Sequence, residues 1–177
     1  PSAVSAWAKG AELAIVAGTL GSALLGLVIG RLAIRRAGIY FAMVTLALAQ
    51  MFYFFYLQAK FTGGEDGLHI PSRGRFLGLF DLNQDWTLYY VVLAIFLAAF
   101  LFIYRVIHSP YGQILKAIRE NEPRATSLGY RVEHYKLLAF VLSAGLAGLA
   151  GSLKSIVFKL ASLTDVNWPM SGEVVLM

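Results

Sequence analysis

Four stretches of the sequence contain no Asp, Glu, Lys or Arg: residues 13–30, 37–59, 86–104 and 137–153, of 18, 23, 19 and 17 residues. A helix rising about 1.5 Å per residue needs roughly 17 to 25 such residues to cross a hydrocarbon core of about 30 Å. A backbone in lipid must satisfy its own polar groups, and these runs lack the period-2 alternation of a barrel strand, so the pattern predicts transmembrane helices. Buried core helices of a soluble protein would explain one such run but hardly all four. Composition agrees, with 58% of residues hydrophobic and 14% charged, where a soluble domain carries about a quarter charged. No basic region precedes the first run, which is read as a membrane helix and not a signal peptide. Residues 171–177 enter a further apolar run, expected to begin a fifth helix, so the chain is read as a fragment. The expected fold is all-α and polytopic, with at least four transmembrane helices in a single membrane domain over residues 1–177.

Orientation follows from the basic residues of the short connections. Arg31, Arg35 and Arg36 separate the first two spans, and Arg105, Lys116, Arg119, Arg124, Arg131 and Lys136 separate the last two. The opposite connection, residues 60–85, mixes Lys60, Arg73 and Arg75 with Glu65, Asp66, Asp81 and Asp85. Residues 31–36 and 105–136 are therefore expected in the cytoplasm, with the chain multi-pass in the cell's inner (plasma) membrane. The net charge of +5 is then a consequence of topology, and no nucleic-acid partner is expected.

Small residues recur every fourth position in two of the spans. Gly18, Ser22, Gly26 and Gly30 form one stripe in the first span, while the fourth carries Ala144, Gly148 and Ser152 beside Ala147, Gly151 and Ser155. Such stripes let helix backbones approach closely, so helix packing in a bundle is expected through them. The third span, without glycine and rich in Phe, Leu and Val, is expected to face lipid. In the second span Thr45 and Gln50 are the polar candidates for lining a pathway, although a hydrogen bond between helices is the alternative for Gln50. The group Phe52 to Tyr56 reads as an interfacial belt.

Catalytic chemistry is missing from the pattern. There is no phosphate-binding loop, nucleophile elbow or His-Glu-x-x-His, and His69, His108 and His134 stand far apart. With no cysteine, disulfides and thiolate metal sites are excluded. The acidic pair in Gly63-Gly64-Glu65-Asp66-Gly67 lacks the ligand spacing of a calcium loop and reads as a turn. Lys154, Lys159 and Asp165 are expected to snorkel to the outer interface. No catalytic residue, cofactor or metal site is expected in this chain.

The most informative stretch runs from His108 to Tyr135. Ser109 before Pro110 is a helix-start signal. Tyr111, Ile114, Leu115 and Ile118 then fall on one face, with Gln113, Lys116, Arg119 and Glu120 on the other, which predicts a short amphipathic helix. Asn121-Glu122-Pro123 can cap a second short helix that Gly129 ends in a left-handed conformation. Paired helices with mixed charge and a glycine stop suit a protein docking surface, the alternative being a helix that floats on headgroups.

Several motifs in this order resemble the permease subunits of branched-chain amino acid ABC transporters over about residues 30–177. They are Arg36-Ala37-Gly38-Ile39-Tyr40-Phe41-Ala42-Met43-Val44-Thr45-Leu46-Ala47, Thr62-Gly63-Gly64-Glu65-Asp66-Gly67-Leu68, Ser109-Pro110-Tyr111-Gly112, Lys116-Ala117-Ile118-Arg119-Glu120-Asn121-Glu122, Ser127-Leu128-Gly129 and Tyr135-Lys136-Leu137-Leu138-Ala139-Phe140. The resemblance implies an ATP-driven importer of branched-chain or related hydrophobic amino acids. It implies that residues 105–136 form a coupling segment, a variant of a Glu-Ala-Ala loop, in which Glu120, Asn121, Glu122, Ala125 and Gly129 meet the ATPase, flanked by Arg119 and Arg124. This sequence has Glu122-Pro123-Arg124-Ala125 in place of a literal Glu-Ala-Ala. The implied partners are cytoplasmic ATP-binding subunits that bind and hydrolyse the ATP, a second homologous permease subunit and an extracytoplasmic substrate-binding protein. The alternative is a polytopic protein without an ATPase, an ion-coupled secondary transporter or an assembly scaffold. Such a carrier usually places ionisable groups at mid-membrane, and the second and third spans have none.

Overall fold

A computed structural model of the chain describes residues 11–34, 38–58, 68–69, 75–76, 80–81 and 84–161. Arg35, Arg36, the Gly63–Gly67 turn, Asp165 and the 171–177 run lie outside the described residues. The described residues form six helices in the order α1 (Ala11–Ala33), α2 (Ile39–Gln58), α3 (Asp85–Ile107), α4 (Pro110–Glu120), α5 (Glu122–Ser127) and α6 (Val132–Phe158). Between and after them lie four two-residue strands, β1 (Leu68–His69), β2 (Arg75–Phe76), β3 (Phe80–Asp81) and β4 (Leu160–Ala161). β1 pairs antiparallel with β4 and β2 with β3. The first pairing sets Leu68 opposite Ala161 and His69 opposite Leu160, which ties the connection between α2 and α3 to the far end of α6.

Among the described residues three helices are long and apolar enough to cross a membrane: Leu13–Ala33 with 21 residues, Asp85–Ile107 with 23 and Val132–Phe158 with 27. The apolar part of α2, Ile39–Phe55, is shorter, about 25 Å at the helical rise and at the lower end of what spanning requires. The chain is an all-α polytopic membrane protein.

The bundle turns the usual rule of burial inside out. Leu20, Leu24, Phe96, Phe100 and Leu101 are all more than half exposed, while no polar or charged residue is buried among the described residues. In water this surface would be a severe liability; in lipid it is the matched surface, because acyl chains solvate Leu and Phe as well as a protein core does.

The tightest contact is between α1 and α6, which run antiparallel. A β-carbon on Gly18 would come within 3.1 Å of Cβ of Ser152, and one on Gly26 would collide with Ala144. At the next level Gly30 would meet Leu137 at 2.9 Å and Phe140 at 3.0 Å. The stripe of α1 thus lies along the Ala144, Gly148 and Ser152 stripe of α6, with no room for a side chain at the Gly26 level and tight contacts at Gly18 and Gly30. Gly151, on the second stripe, has nothing within 4 Å, and Ala147 is exposed. The serine and threonine hydroxyls along the seam turn back on their own helices: Thr19 donates to the Ile15 carbonyl at 2.7 Å, Ser22 to that of Thr19 at 3.0 Å and Ser152 to that of Leu149 at 2.9 Å. The seam is therefore held by close packing, not by hydrogen bonds across it.

α3 packs on the pair through its first turns. Leu88 packs with Ile156 in a small core flanked by Ile15, Val91, Val92 and Val157. From there Phe96, Leu97, Phe100 and Leu101 are exposed, so the lipid-facing character expected of this helix applies beyond its first two turns. Between the ends, α1, α3 and α6 enclose an apolar cleft of about 460 Å³ whose lining includes Thr19, Ala98, Phe102 and Gly145.

Candidate functional site

At one end of the bundle the chain leaves the membrane helices to form α4 and α5 and returns as α6. The departure is a sharp corner. Ser109 caps α4: its hydroxyl accepts from the Gly112 amide at 3.4 Å and donates to the Val106 carbonyl at 2.6 Å. Pro110 supplies the first helical position, where a missing N–H costs nothing. Gly112 is buried, and a β-carbon there would run into the Ile107 carbonyl and lie 2.8 Å from that of Val106. Glycine at this position lets α4 fold back against the end of α3.

Asn121 joins the two short helices by serving both. Its amide donates to the Ala117 carbonyl at 3.1 Å, ending α4, while its side-chain oxygen accepts from the Arg124 amide at 3.1 Å, starting α5. Its extended backbone, φ −155° and ψ 96°, turns the chain between them. α5 ends in a Schellman arrangement, with the Tyr130 amide on the Ala125 carbonyl at 3.2 Å and the Gly129 amide on that of Thr126 at 3.0 Å. Gly129 carries the left-handed φ of +88° that this ending needs.

The knuckle so formed is fastened to α6. Ile118, Ala125 and Val132 make a buried cluster, with Ile114 and Tyr135 packed on it. The Tyr111 hydroxyl donates to the Tyr135 carbonyl at 3.0 Å, and the two rings stack 5.8 Å apart. Tyr130 sets its ring edge-on to Tyr135 at 6.2 Å. Lys136 reaches back to Glu122, Nζ to Oε1 2.6 Å. Burial pushes the Tyr111 phenol above its usual value of 10.0, so the hydroxyl keeps its proton and remains a donor at neutral pH.

The residues expected to meet a partner separate into an outer and an inner set. Arg119, Glu120, Asn121, Glu122, Arg124 and Gly129 are exposed. Ala125 is 3% exposed and faces α4 and α6, so its place is inside the knuckle and a contact through its side chain is corrected to a packing role. Glu122 is exposed yet already paired with Lys136. Leu128, 71% exposed at the tip, was not singled out from the sequence, nor were Gly112 or the Tyr111 and Lys136 contacts. The signal for Leu128 was an apolar residue beside the helix-stopping glycine.

Arg31 at the end of α1 shares a cavity of about 250 Å³ with Glu133 and His134 of α6. The first and third connections thus lie at the same end of the bundle. Thr45 and Gln50 are not brought together: five positions apart, they are separated by about 140° around α2. The Thr45 hydroxyl bonds to the Phe41 and Ala42 carbonyls of its own helix, at 3.0 and 2.9 Å. Neither residue lines the cleft between α1, α3 and α6.

Comparison with known proteins supplies the context. The high-affinity branched-chain amino acid transport system permease protein LivM of Escherichia coli is 30% identical over 161 residues, covering 78% of this chain and 38% of that protein. Its namesake in Salmonella typhimurium is 30% identical over 155 residues, covering 75% and 36%. A probable branched-chain amino acid transport permease protein LivM of Methanocaldococcus jannaschii is 26% identical over 109 residues, covering 60% and 31%. The chain thus spans less than two fifths of the length of these relatives. No solved structure matches it. The family model for the permease component of branched-chain amino acid transport systems matches residues 3–177, and the chain belongs to that family.

Proposed function

We propose that this chain is part of the membrane-spanning subunit of an ATP-driven importer, carrying branched-chain or related hydrophobic amino acids into the cell. The chain itself catalyses nothing and holds no cofactor; ATP is bound and hydrolysed by separate cytoplasmic subunits. These dock on the knuckle of α4 and α5, where Arg119, Glu120, Asn121 and Leu128 form the exposed ridge. An extracytoplasmic binding protein delivers the substrate at the opposite end, and a second, homologous permease subunit completes the pathway. Residues 1–177 belong to one membrane domain, with 105–136 as its coupling segment.

The observation that carries this reading is the doubly capped knuckle. Two short helices of 11 and 6 residues have little stability alone, yet this pair is capped at both ends and clamped on α6, which presents a rigid polar ridge outside the bilayer. The ridge lies at the end of the bundle that also holds Arg31, Arg105, Arg131 and Lys136, which supports a cytoplasmic placement in the inner membrane. Closure of the ATPase subunits on ATP pushes on residues 109–129 and tilts the membrane helices between inward-open and outward-open packings. In its equilibrium part the coupling is reciprocal, so loaded binding protein at the outer face favours the ATP-bound state.

The test is co-purification of the full-length protein from its native membrane in mild detergent, with and without Glu120→Arg. A phosphate-loop ATPase present with the wild type and depleted at least tenfold with the variant is the expected result. If neither protein brings down an ATPase under conditions that preserve other complexes, the importer reading fails.

A further inference from the structure

The knuckle joins the membrane helices by two unequal routes. Its link to α3 is a single local corner within a few residues of sequence, Ser109 bonded to the Val106 carbonyl and Gly112 set against the Ile107 carbonyl. Its link to α6 combines the chain itself with contacts remote in sequence. Tyr111 and Tyr135 are 24 positions apart, Glu122 and Lys136 are 14 apart, and the Ile118, Ala125 and Val132 cluster joins three helices. α6 is in turn held against α1 with no space at the Gly26 and Gly148 levels. A body clamped at several separated points moves as a unit, whereas one joined at a single corner can pivot there.

We infer that Tyr111, Glu122 and Lys136 are positioning residues that make the α4–α5 knuckle move with α6 and α1, leaving α3 to pivot about the Ser109–Gly112 corner. The inference rests on the importer reading and deepens it by assigning which membrane helices receive the push. Glu122 here serves the chain's own α6 through its carboxylate. The Glu122–Lys136 pair is only partly buried, the Lys136 side chain 40% and that of Glu122 53% exposed, so breaking it leaves the fold intact. What it changes is the balance between a knuckle docked on α6 and one that slips. A shift of about fivefold in that balance is within reach of one such contact, and it appears as ATP hydrolysed without transport.

The experiment reconstitutes the full-length protein with its ATPase and binding protein in proteoliposomes and measures substrate imported per ATP hydrolysed. Lys136→Glu and Tyr111→Phe are expected to lower that ratio at least threefold while hydrolysis continues. The exchange Glu122→Lys with Lys136→Glu is expected to bring it back to within twofold of wild type. An unchanged ratio in the single variants, or an exchange no better than Lys136→Glu alone, overturns the inference. A second measurement needs no ATPase: spin labels at Ser127 on α5 and Leu138 on α6, both exposed, report the distance across the clamp. A narrow distribution in wild type that broadens with Lys136→Glu and narrows again in the exchange supports the clamp. A distribution that Lys136→Glu leaves unchanged overturns it. Should no ATPase be found, the importer reading falls while the spin-label distances still decide the clamp.

Discussion

Ser22 on α1 stands in the space that a side chain at Gly148 on α6 would fill, and a β-carbon there would also lie 2.8 Å from the Gly18 carbonyl. Gly148→Ala therefore forces the two helices apart, an overpacking effect of about 1–3 kcal/mol. Gly151→Ala, where nothing lies within 4 Å, should stay within about 0.5 kcal/mol of wild type. Thermal unfolding of the two variants in the same detergent checks the contrast; equal losses would mean that the first stripe is no more closely packed than the second.

At the corner between α3 and α4, Gly112 lies against the Ile107 carbonyl. Backbone atoms cannot rotate aside as a side-chain tip can, so Gly112→Ala should open the corner and cost at least about 1–3 kcal/mol. The change should appear as faster amide exchange at residues 109–114, with exchange in α1 unaltered.

Asn121 and Gly129 frame α5 in different ways, and their substitutions should separate accordingly. Asn121→Ala removes the acceptor for the Arg124 amide and should cost about 1 kcal/mol, as loss of an N-cap does. Gly129→Ala meets no steric obstacle but must adopt φ +88°, costing about 1–2 kcal/mol for the left-handed backbone. Amide exchange over residues 122–130 should rise in both, and Gly129→Asn should recover part of the loss because Asn tolerates that conformation.

Burial raises the Tyr111 phenol above 10.0, so the folded state holds this proton more tightly than the unfolded chain does. The stabilisation is fully present below pH 10.0 and is lost as the pH rises through the higher folded value. Alkaline titration followed by tyrosinate absorbance should show a late-titrating component that Tyr111→Phe removes.

The ends of α3 should face opposite sides of the membrane. The sequence has no cysteine, so single cysteines introduced at Gln84 and Arg119 can be labelled selectively in this part of the protein. A membrane-impermeant maleimide added outside intact cells should reach position 84 and label position 119 only after the membrane is opened. Labelling of both from one side would contradict the orientation.

Much of this was legible in the sequence because it depends on local properties. Runs free of charge must span or be buried, and the 3.6-residue period places Gly18, Ser22, Gly26 and Gly30 on one face whatever surrounds them. The caps of α4 and α5 were likewise visible, since Ser109, Pro110, Asn121 and Gly129 act on backbone groups within a few residues of themselves. The tertiary structure alone decided what depends on distance in space. It chose which of the two α6 stripes α1 would meet, turned Ala125 inward and Leu128 outward, and brought Lys136 to Glu122 across 14 positions. Periodicity fixes the face of a helix but not its neighbour, because the neighbour is selected by the shape complementarity of two surfaces distant in the chain.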